Sequence, residues 1–215
     1  MIICEIGQNF IGDMEMATRL IWEAKENGAD LAKFQLFDSI AQYGQKIETE
    51  LSFEQANHLF RYGEDIGMEV FFSVFELDRI EWCEKIGVKR YKLAFSEKDN
   101  WELIDAIART EKPLIISSDI PKQYPLETLY CVPKYPATIE DIEWKMLSGC
   151  LGYSDHTVGL DVAKFAIARG SRIVEKHFAI DHNTGVDAPW SMTPEELKEL
   201  KRWENVCEQL LNTAN

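Results

Sequence analysis

The chain has 215 residues, with 23 Lys and Arg against 37 Asp and Glu and a formal net charge of −14, which argues against a general binder of nucleic acid or anionic membrane, since both need a basic face. A hydrophobic fraction of 46%, with 11% aromatic and 28% charged residues, excludes disorder over most of the length and supplies a sizeable core for one domain, 1–215. An anionic ligand would have to be met by a few lysines concentrated in one place.

The first apolar run is interrupted by Glu5 and carries no basic leader, and nowhere are there about 18 uninterrupted apolar residues. Neither an export signal nor a membrane span is expected. Five cysteines, Cys4, Cys83, Cys131, Cys150 and Cys207, are an odd number without CxxC or Cys/His metal spacing. They read as reduced, mostly buried thiols of a cytoplasmic protein.

From the N-terminus, short β-rich runs alternate with amphipathic stretches. The runs are 2–6, 31–35, 69–75, 90–95, 113–118, 129–133, 150–156 and 172–180. Between them the apolar period changes from two to about 3.6. Met14, Ala17, Leu20, Ile21 and Ala24 share one helical face, and Leu103, Ile104 and Ile107 another. Ser52-Phe53-Glu54-Gln55 is a capping box, and Thr193-Pro194-Glu195-Glu196 adds proline at the first helical position. Gly28, Gly67, Gly87 and Gly170 stand where left-handed helix ends are expected.

Such alternation predicts parallel strands with crossover helices. Eight units predict a compact α/β fold, a (β/α)8 TIM barrel, at the small end of the roughly 200 to 400 residues the architecture occupies. The fifth helix is expected to be degenerate, because 119–128 is short and carries Pro121 and Pro125. The alternative is a doubly wound open sheet, although no GxGxxG or Walker loop follows the first strand.

In a barrel of this kind, inward side chains at the C-terminal ends of the strands line the open mouth. Polar residues unsuited to a core fall at those ends. Glu5 lies on the first run, Lys33 and Gln35 on the second, Ser73 on the third, and Lys92 on the fourth with Glu97 beyond it. Ser117 is on the fifth, Tyr135 follows the sixth, Ser154 and His156 end the seventh, and His177 lies on the eighth. Burying such groups without partners costs several kcal/mol each, so they imply a polar, ligand-binding cavity.

Lys33 and Lys92 offer cations for phosphate or carboxylate, supported by seryl hydroxyls. Either lysine could instead form a Schiff base. His156 and His177 suit a divalent first-row metal completed by carboxylate or water, or form a hydrogen-bonded histidine pair.

Several segments together resemble the sialic acid synthase family, the phosphoenolpyruvate-dependent synthases of nine-carbon sugar acids. They are Glu5-Ile6-Gly7-Gln8-Asn9, Ala32-Lys33-Phe34-Gln35, Tyr91-Lys92-Leu93-Ala94, Gly152-Tyr153-Ser154-Asp155-His156-Thr157 and Glu175-Lys176-His177-Phe178, supported by Tyr135-Pro136-Ala137 and by Asp187 with Ser191. The resemblance is collinear from about Ile3 to Leu197. It implies a barrel that condenses phosphoenolpyruvate with an N-acetylated aldose, such as N-acetylmannosamine or a relative, using Mn2+ or a similar ion. By position, it implies that His156 and His177 ligate the metal and that Lys33, Ser73, Lys92, Ser117 and Ser154 hold phosphoenolpyruvate. Gln35, Tyr135 and Asp187 would then address the sugar. Glu5 and Glu97 would lie near the reacting centre.

The chain departs from the family pattern at named places. Phe10-Ile11 stands where His-Asn is usual, Ser73-Val74 where Thr-Pro is usual, Phe95 in place of a small serine and Pro133 in place of asparagine. The side chains of Phe95 and Pro133 donate no hydrogen bonds. The segment after the second strand looks shortened. The C-terminal antifreeze-like domain of full-length relatives, which brings an arginine to the partner subunit's sugar, is not expected here, so the resemblance implies another sugar contact, another protein (a homo-oligomer or a separate accessory subunit) or a different substrate. Two other readings stand beside it: a metal-dependent or Schiff-base aldolase or lyase, and a barrel that has lost catalysis and serves as a binding or scaffolding subunit.

Overall fold

A computed structural model describes residues 1–122 and 126–213. Eight strands, β1 (Ile2–Gly7), β2 (Leu31–Leu36), β3 (Glu69–Val74), β4 (Tyr91–Leu93), β5 (Leu114–Ser118), β6 (Glu127–Cys131), β7 (Gly152–Asp155) and β8 (Ile173–His177), pair in chain order. All pairings are parallel, and β8 returns to β1 in the register Glu5 opposite His177. The sheet is a closed barrel, so the open-sheet alternative is set aside.

Helices α1 (Met14–Glu26), α2 (Ser39–Tyr43), α3 (Phe53–Ile66), α4 (Leu77–Ile86), α5 (Trp101–Ala108), α6 (Asp161–Ala168) and α7 (Pro194–Thr213) surround it. Their ends obey the expected chemistry. Ser52 and Gln55 form the reciprocal capping box of α3, and Thr193 and Glu196 exchange backbone and side-chain hydrogen bonds at the start of α7. The four helix-ending glycines all adopt positive φ. On α1, Ala17, Leu20, Ile21 and Ala24 are fully buried, and each large aliphatic side chain so covered contributes about 1.5–3 kcal/mol.

No helix joins β5 to β6 among the described residues. Pro121 lies in that connection, whereas Pro125, the other half of the expectation, lies outside the described residues. A second crossover also lacks an α-helix, which the apolar periodicity did not reveal. Between β6 and β7 the chain makes two 3-10 turns, Ile139–Asp141 and Trp144–Leu147. Pro133 and Pro136 interrupt any continuous helical run at its start, and Trp144 covers the barrel instead, edge-on to Phe165 at 4.6 Å.

Strand alternation divides the molecule into two regions. Outward residues such as Ile2, Cys4, Phe34, Phe72, Tyr91 and Ile116 pack under the helices. Inward residues Ile3, Leu31, Phe71, Ile115, Leu129 and Ile173 form an apolar plug inside the barrel. Gly152 is required on the inward face of β7, because a Cβ there would meet the Ile173 carbonyl oxygen at 1.8 Å. The plug closes one end, and the polar residues stand above it.

One charged pair is buried on the outward side. Asp155 and Lys176, paired across β7 and β8, have completely buried side chains and meet at 2.9 Å. Lys176 also donates to the Thr157 carbonyl at 2.6 Å, and Asp155 accepts from the Thr157 N–H and hydroxyl. This network holds the backbone on either side of His156. All five cysteines are free, and all but Cys150 are buried. Among the described residues no helix is long and apolar enough to cross a membrane.

Removing one partner of a satisfied buried pair leaves the other charge stranded, at a cost of about 3–5 kcal/mol. Lys176→Met should therefore lower the urea-unfolding free energy by about that amount. A loss under about 1 kcal/mol would show that the pair does not hold this part of the barrel.

Candidate active site

The inward residues one step above the plug build a small cavity at the mouth of the barrel. Glu5, Lys33, Ser73, Lys92, Ser117, Ser154 and Glu175 form its floor, and Gln35, Tyr135, His156 and His177 rise toward the opening. Glu5, Lys33, Ser73, Ser117 and Glu175 each sit two positions beyond an inward plug residue of the same strand, Ser154 sits two beyond the inward Gly152, and Lys92 pairs with Ser73 across β3 and β4, so period-two alternation and register carry them into one layer.

The floor contains two ammonium groups and two carboxylates in one connected arrangement. Lys33 is ion-paired with Glu5 Oε2 and donates to Ser73 Oγ at 2.8 Å. Gln35 Nε2 donates to Glu5 Oε1 at 2.8 Å. Lys92 donates to Ser117 Oγ at 2.7 Å and to the Leu93 carbonyl at 2.9 Å. Its ammonium lies 3.7 Å from Glu175 Oε1, which accepts from Ser154 Oγ at 3.1 Å. Burial, with Lys33 nearby, lowers the Lys92 pKa. Burial would by itself raise the Glu175 carboxyl, but Lys33, Lys92 and the Ser154 hydroxyl hold it well below the usual carboxylate range.

The two histidines stand above this floor with ring centroids 5.5 Å apart. His156 Nδ1 lies 2.8 Å from the Val132 carbonyl, which assigns the ring proton to Nδ1 and leaves Nε2 with its lone pair. Burial and the neighbouring His177 push His156 down to about 3, so it is neutral near pH 7. His177 Nδ1 lies 3.1 Å from Asp187 Oδ2. Anchoring Nδ1 on a carbonyl or carboxylate is how an imidazole is oriented to offer Nε2 to a metal. Among the described residues no group of three or more His, Cys, Asp or Glu side chains could hold a metal ion, so a metal on this pair would need its other positions filled by water or substrate.

Tyr135 stacks on His156 with centroids 4.1 Å apart and meets His177 edge-on at 5.9 Å. Asp187 comes from the connection between β8 and α7. Buried Asn9 fixes that connection: its Oδ1 accepts from the Asp187 N–H at 2.9 Å, and its Nδ2 donates to the Phe178 carbonyl and Ser191 Oγ at 3.0 Å each. Gly185 passes so close that a Cβ would lie 2.5 Å from Asn9 Oδ1.

The structure thus brings Glu5, Lys33, Gln35, Ser73, Lys92, Ser117, Tyr135, Ser154, His156 and His177 to one cavity and places Asp187 against His177. It does not bring Glu97 there. That carboxylate lies on the 3-10 turn Phe95–Glu97 and accepts from Asn100 Nδ2 at 2.9 Å. Phe95 lines the cavity, whereas Pro133 lines a separate depression with Asp141 and Met146. Phe10 is core, edge-on to Phe34 at 5.9 Å.

Sequence reasoning overlooked Glu175 and Cys131. Glu175 lies two residues before His177 on one strand, so the same alternation that turns the histidine inward turns the carboxylate inward. Cys131 obeys the same rule on β6, and burial pushes its thiol up to about 12, which makes it a wall of the cavity and not a thiolate.

Comparison with known proteins agrees with this geometry. The model of the NeuB family matches residues 20–123 and 121–215. The N,N'-diacetyllegionaminic acid synthase of Legionella pneumophila is 32% identical, over 99% of this chain and 73% of its own length. Human N-acetylneuraminate-9-phosphate synthase is 28% identical, over 99% of this chain and 71% of its own. The crystal structure of N-acetylneuraminic acid synthetase from Leptospira borgpetersenii superposes with a TM-score of 0.91 at 26% identity, covering 98% of this chain and 84% of that one. With nearly its whole length matched and its polar cavity built from the segments that carry the likeness, the chain belongs to the NeuB family.

Proposed function

We propose that this protein joins phosphoenolpyruvate to an N-acetylated aldose, forming a nine-carbon 2-keto sugar acid and releasing inorganic phosphate. The observation that carries the reading is the pairing of Lys33 with Ser73 and of Lys92 with Ser117 on the cavity floor, directly beneath the His156 and His177 pair. The relatives' activities as sugar-acid synthases support it.

Phosphoenolpyruvate carries a phosphate and a carboxylate on adjacent groups, and two buried ammonium groups with hydroxyl donors can meet both. In the reaction the enol C3 attacks the aldehyde carbon, and the carbonyl electron pair moves to oxygen, which takes a proton. Positive charge develops at C2 and water adds there, losing one proton; the C2–O bond to phosphate then breaks as the new C2 hydroxyl gives its proton to the departing phosphate, leaving the 2-keto acid. Glu5 and Glu175 are the carboxylates placed to offset that developing charge and to take the proton from the incoming water. In this reading Gln35, Tyr135 and Asp187 receive the sugar hydroxyls.

The two imidazoles, each with Nδ1 facing an oxygen, fit a divalent ion, Mn2+ in this proposal. When bound, such an ion polarises the aldehyde oxygen as a Lewis acid.

A second reading has one observation of its own. Lys92 is fully buried and its pKa is lowered, as a Schiff-base lysine requires. Borohydride trapping with pyruvate separates the two, because only the Schiff-base enzyme leaves a covalent adduct on the lysine.

Three outcomes are expected. Phosphate should be released from phosphoenolpyruvate in the presence of Mn2+ and a member of a panel of N-acetylated hexosamines; a folded, metal-loaded protein that releases none with any sugar contradicts the proposal. His156→Ala and His177→Ala should each lose stoichiometric Mn2+ binding by metal analysis, and retention in both would remove the assignment. Lys92→Met should weaken phosphoenolpyruvate binding about 10- to 100-fold, in line with the loss of a charge-assisted contact. Unchanged affinity in a normally folded variant would place the anion elsewhere.

A further inference from the structure

Asn9, on the turn that follows β1, does not line the cavity. It is 1% exposed, and both polar atoms of its side chain are engaged. Oδ1 accepts from the Asp187 N–H, and Nδ2 divides its two protons between the Phe178 carbonyl and Ser191 Oγ. Ser191 in turn donates its hydroxyl to the Asp187 carbonyl at 2.8 Å. One amide on the β1 side of the barrel therefore grips the residue after His177, the N–H of Asp187 and the hydroxyl that secures the Asp187 carbonyl.

These contacts are separable from the ones that close the connection between β8 and α7. The base of that segment is stitched by backbone: the Met192 N–H donates to the His177 carbonyl at 2.8 Å, and the Ala179 N–H donates to the Met192 carbonyl at 3.1 Å. The Phe178 N–H reaches the Glu5 carbonyl at 2.8 Å, so β8 is fastened to β1 without Asn9 as well. What Asn9 adds is the position of Asp187 inside the closed segment. The Asp187 carboxylate meets His177 Nδ1 at 3.1 Å, a contact that a shift of about 1 Å in the Asp187 backbone would break. A Cβ on Gly185 would lie 2.8 Å from Asn9 Cα, so the segment is packed down onto the asparagine. His156 needs no such device, because its Nδ1 rests directly on the Val132 backbone carbonyl.

We infer that Asn9 is a positioning residue of the candidate metal site: by holding the Asp187 backbone it keeps the carboxylate on His177 Nδ1 and so fixes the direction in which His177 offers Nε2. The inference rests on the proposed metal role of His156 and His177 and extends their chain of contacts by one residue. The orientation of a ligating imidazole is set by the partner of its other nitrogen, and a partner whose own backbone drifts sets it poorly. With Asn9 in place the carboxylate is ordered in advance; without it, the ordering is subtracted from the free energy of binding.

The test titrates Mn2+ alone into the full chain, read by calorimetry and by electron paramagnetic resonance of the free ion. The unmodified protein is compared with Asn9→Ala, with Asp187→Ala and with the double variant, and urea unfolding reports the fold of each. Asn9→Ala should raise the Kd for Mn2+ about tenfold. Added to Asp187→Ala, it should change the Kd by less than about twofold, because its effect passes through the carboxylate. A residue that only supports the fold would lower stability in both backgrounds and leave the Kd alone. An unchanged Kd in folded Asn9→Ala, or the same tenfold loss in both backgrounds, overturns the inference and leaves the metal site standing. Should Asn9→Ala fail to fold, Ser191→Ala takes its place, since it removes one Asn9 partner and the donor to the Asp187 carbonyl. Its Kd should rise about threefold, and an unchanged Kd overturns the inference. No Mn2+ binding by the unmodified protein removes the metal assignment itself, and this inference with it.

Discussion

The cavity depends on keeping two ammonium groups inside a barrel whose lower layer is hydrocarbon. An unpaired lysine at that depth would lose its proton or unfold the strand that carries it. Lys33 and Lys92 avoid this because Glu5 and Glu175 point inward from β1 and β8, and because Ser73 and Ser117 present hydroxyl oxygens from the neighbouring strands. The charges are satisfied before any ligand arrives. On the proposed reading, a dianionic substrate would have to exchange partners with Glu5 and Glu175, which favours ligands that bring more than one negative group.

The barrel supplies the geometry at little cost in chain length. Closure in the order β1 to β8 puts Glu5 opposite both Lys33 and His177 in register, so residues far apart in sequence become neighbours by strand pairing alone. The outward half of the same strands has a separate duty. Asp155 and Lys176 flank His156 and His177 in sequence but face the helices, where their buried pair fixes the strand ends from behind. The two histidine-bearing segments thus interleave groups that address the cavity with groups that hold the barrel together.

Much of this was legible in the amino-acid sequence for a physical reason: parallel strands buried on both faces are short apolar runs, and polar residues inside them stand out. Lys33, Lys92, His156 and His177 announced themselves in that way. Glu175 did not, because it sits among charged neighbours in Glu175-Lys176-His177, where only the alternation separates the inward residues from the outward lysine. Glu97 was misleading for the opposite reason. It follows β4 closely, but the chain turns into a 3-10 segment at Phe95, and the carboxylate faces Asn100. The missing helix between β6 and β7 was hidden because Ile142, Leu147 and Trp144 mimic an apolar face while Pro133 and Pro136 prevent the helix. Asn9 depends on contacts between the β1 and β8 loops, which no local pattern carries.

The central claim is that the paired lysines of the cavity floor form the phosphoenolpyruvate site. Calorimetric titration of phosphoenolpyruvate into the Mn2+-loaded protein, repeated with the Lys33→Met, Lys92→Met double variant, tests it most directly. The account predicts one saturable site per chain in the unmodified protein and none in the variant, with the variant still cooperatively folded. Equal binding by the two proteins, or no binding by either, would contradict it.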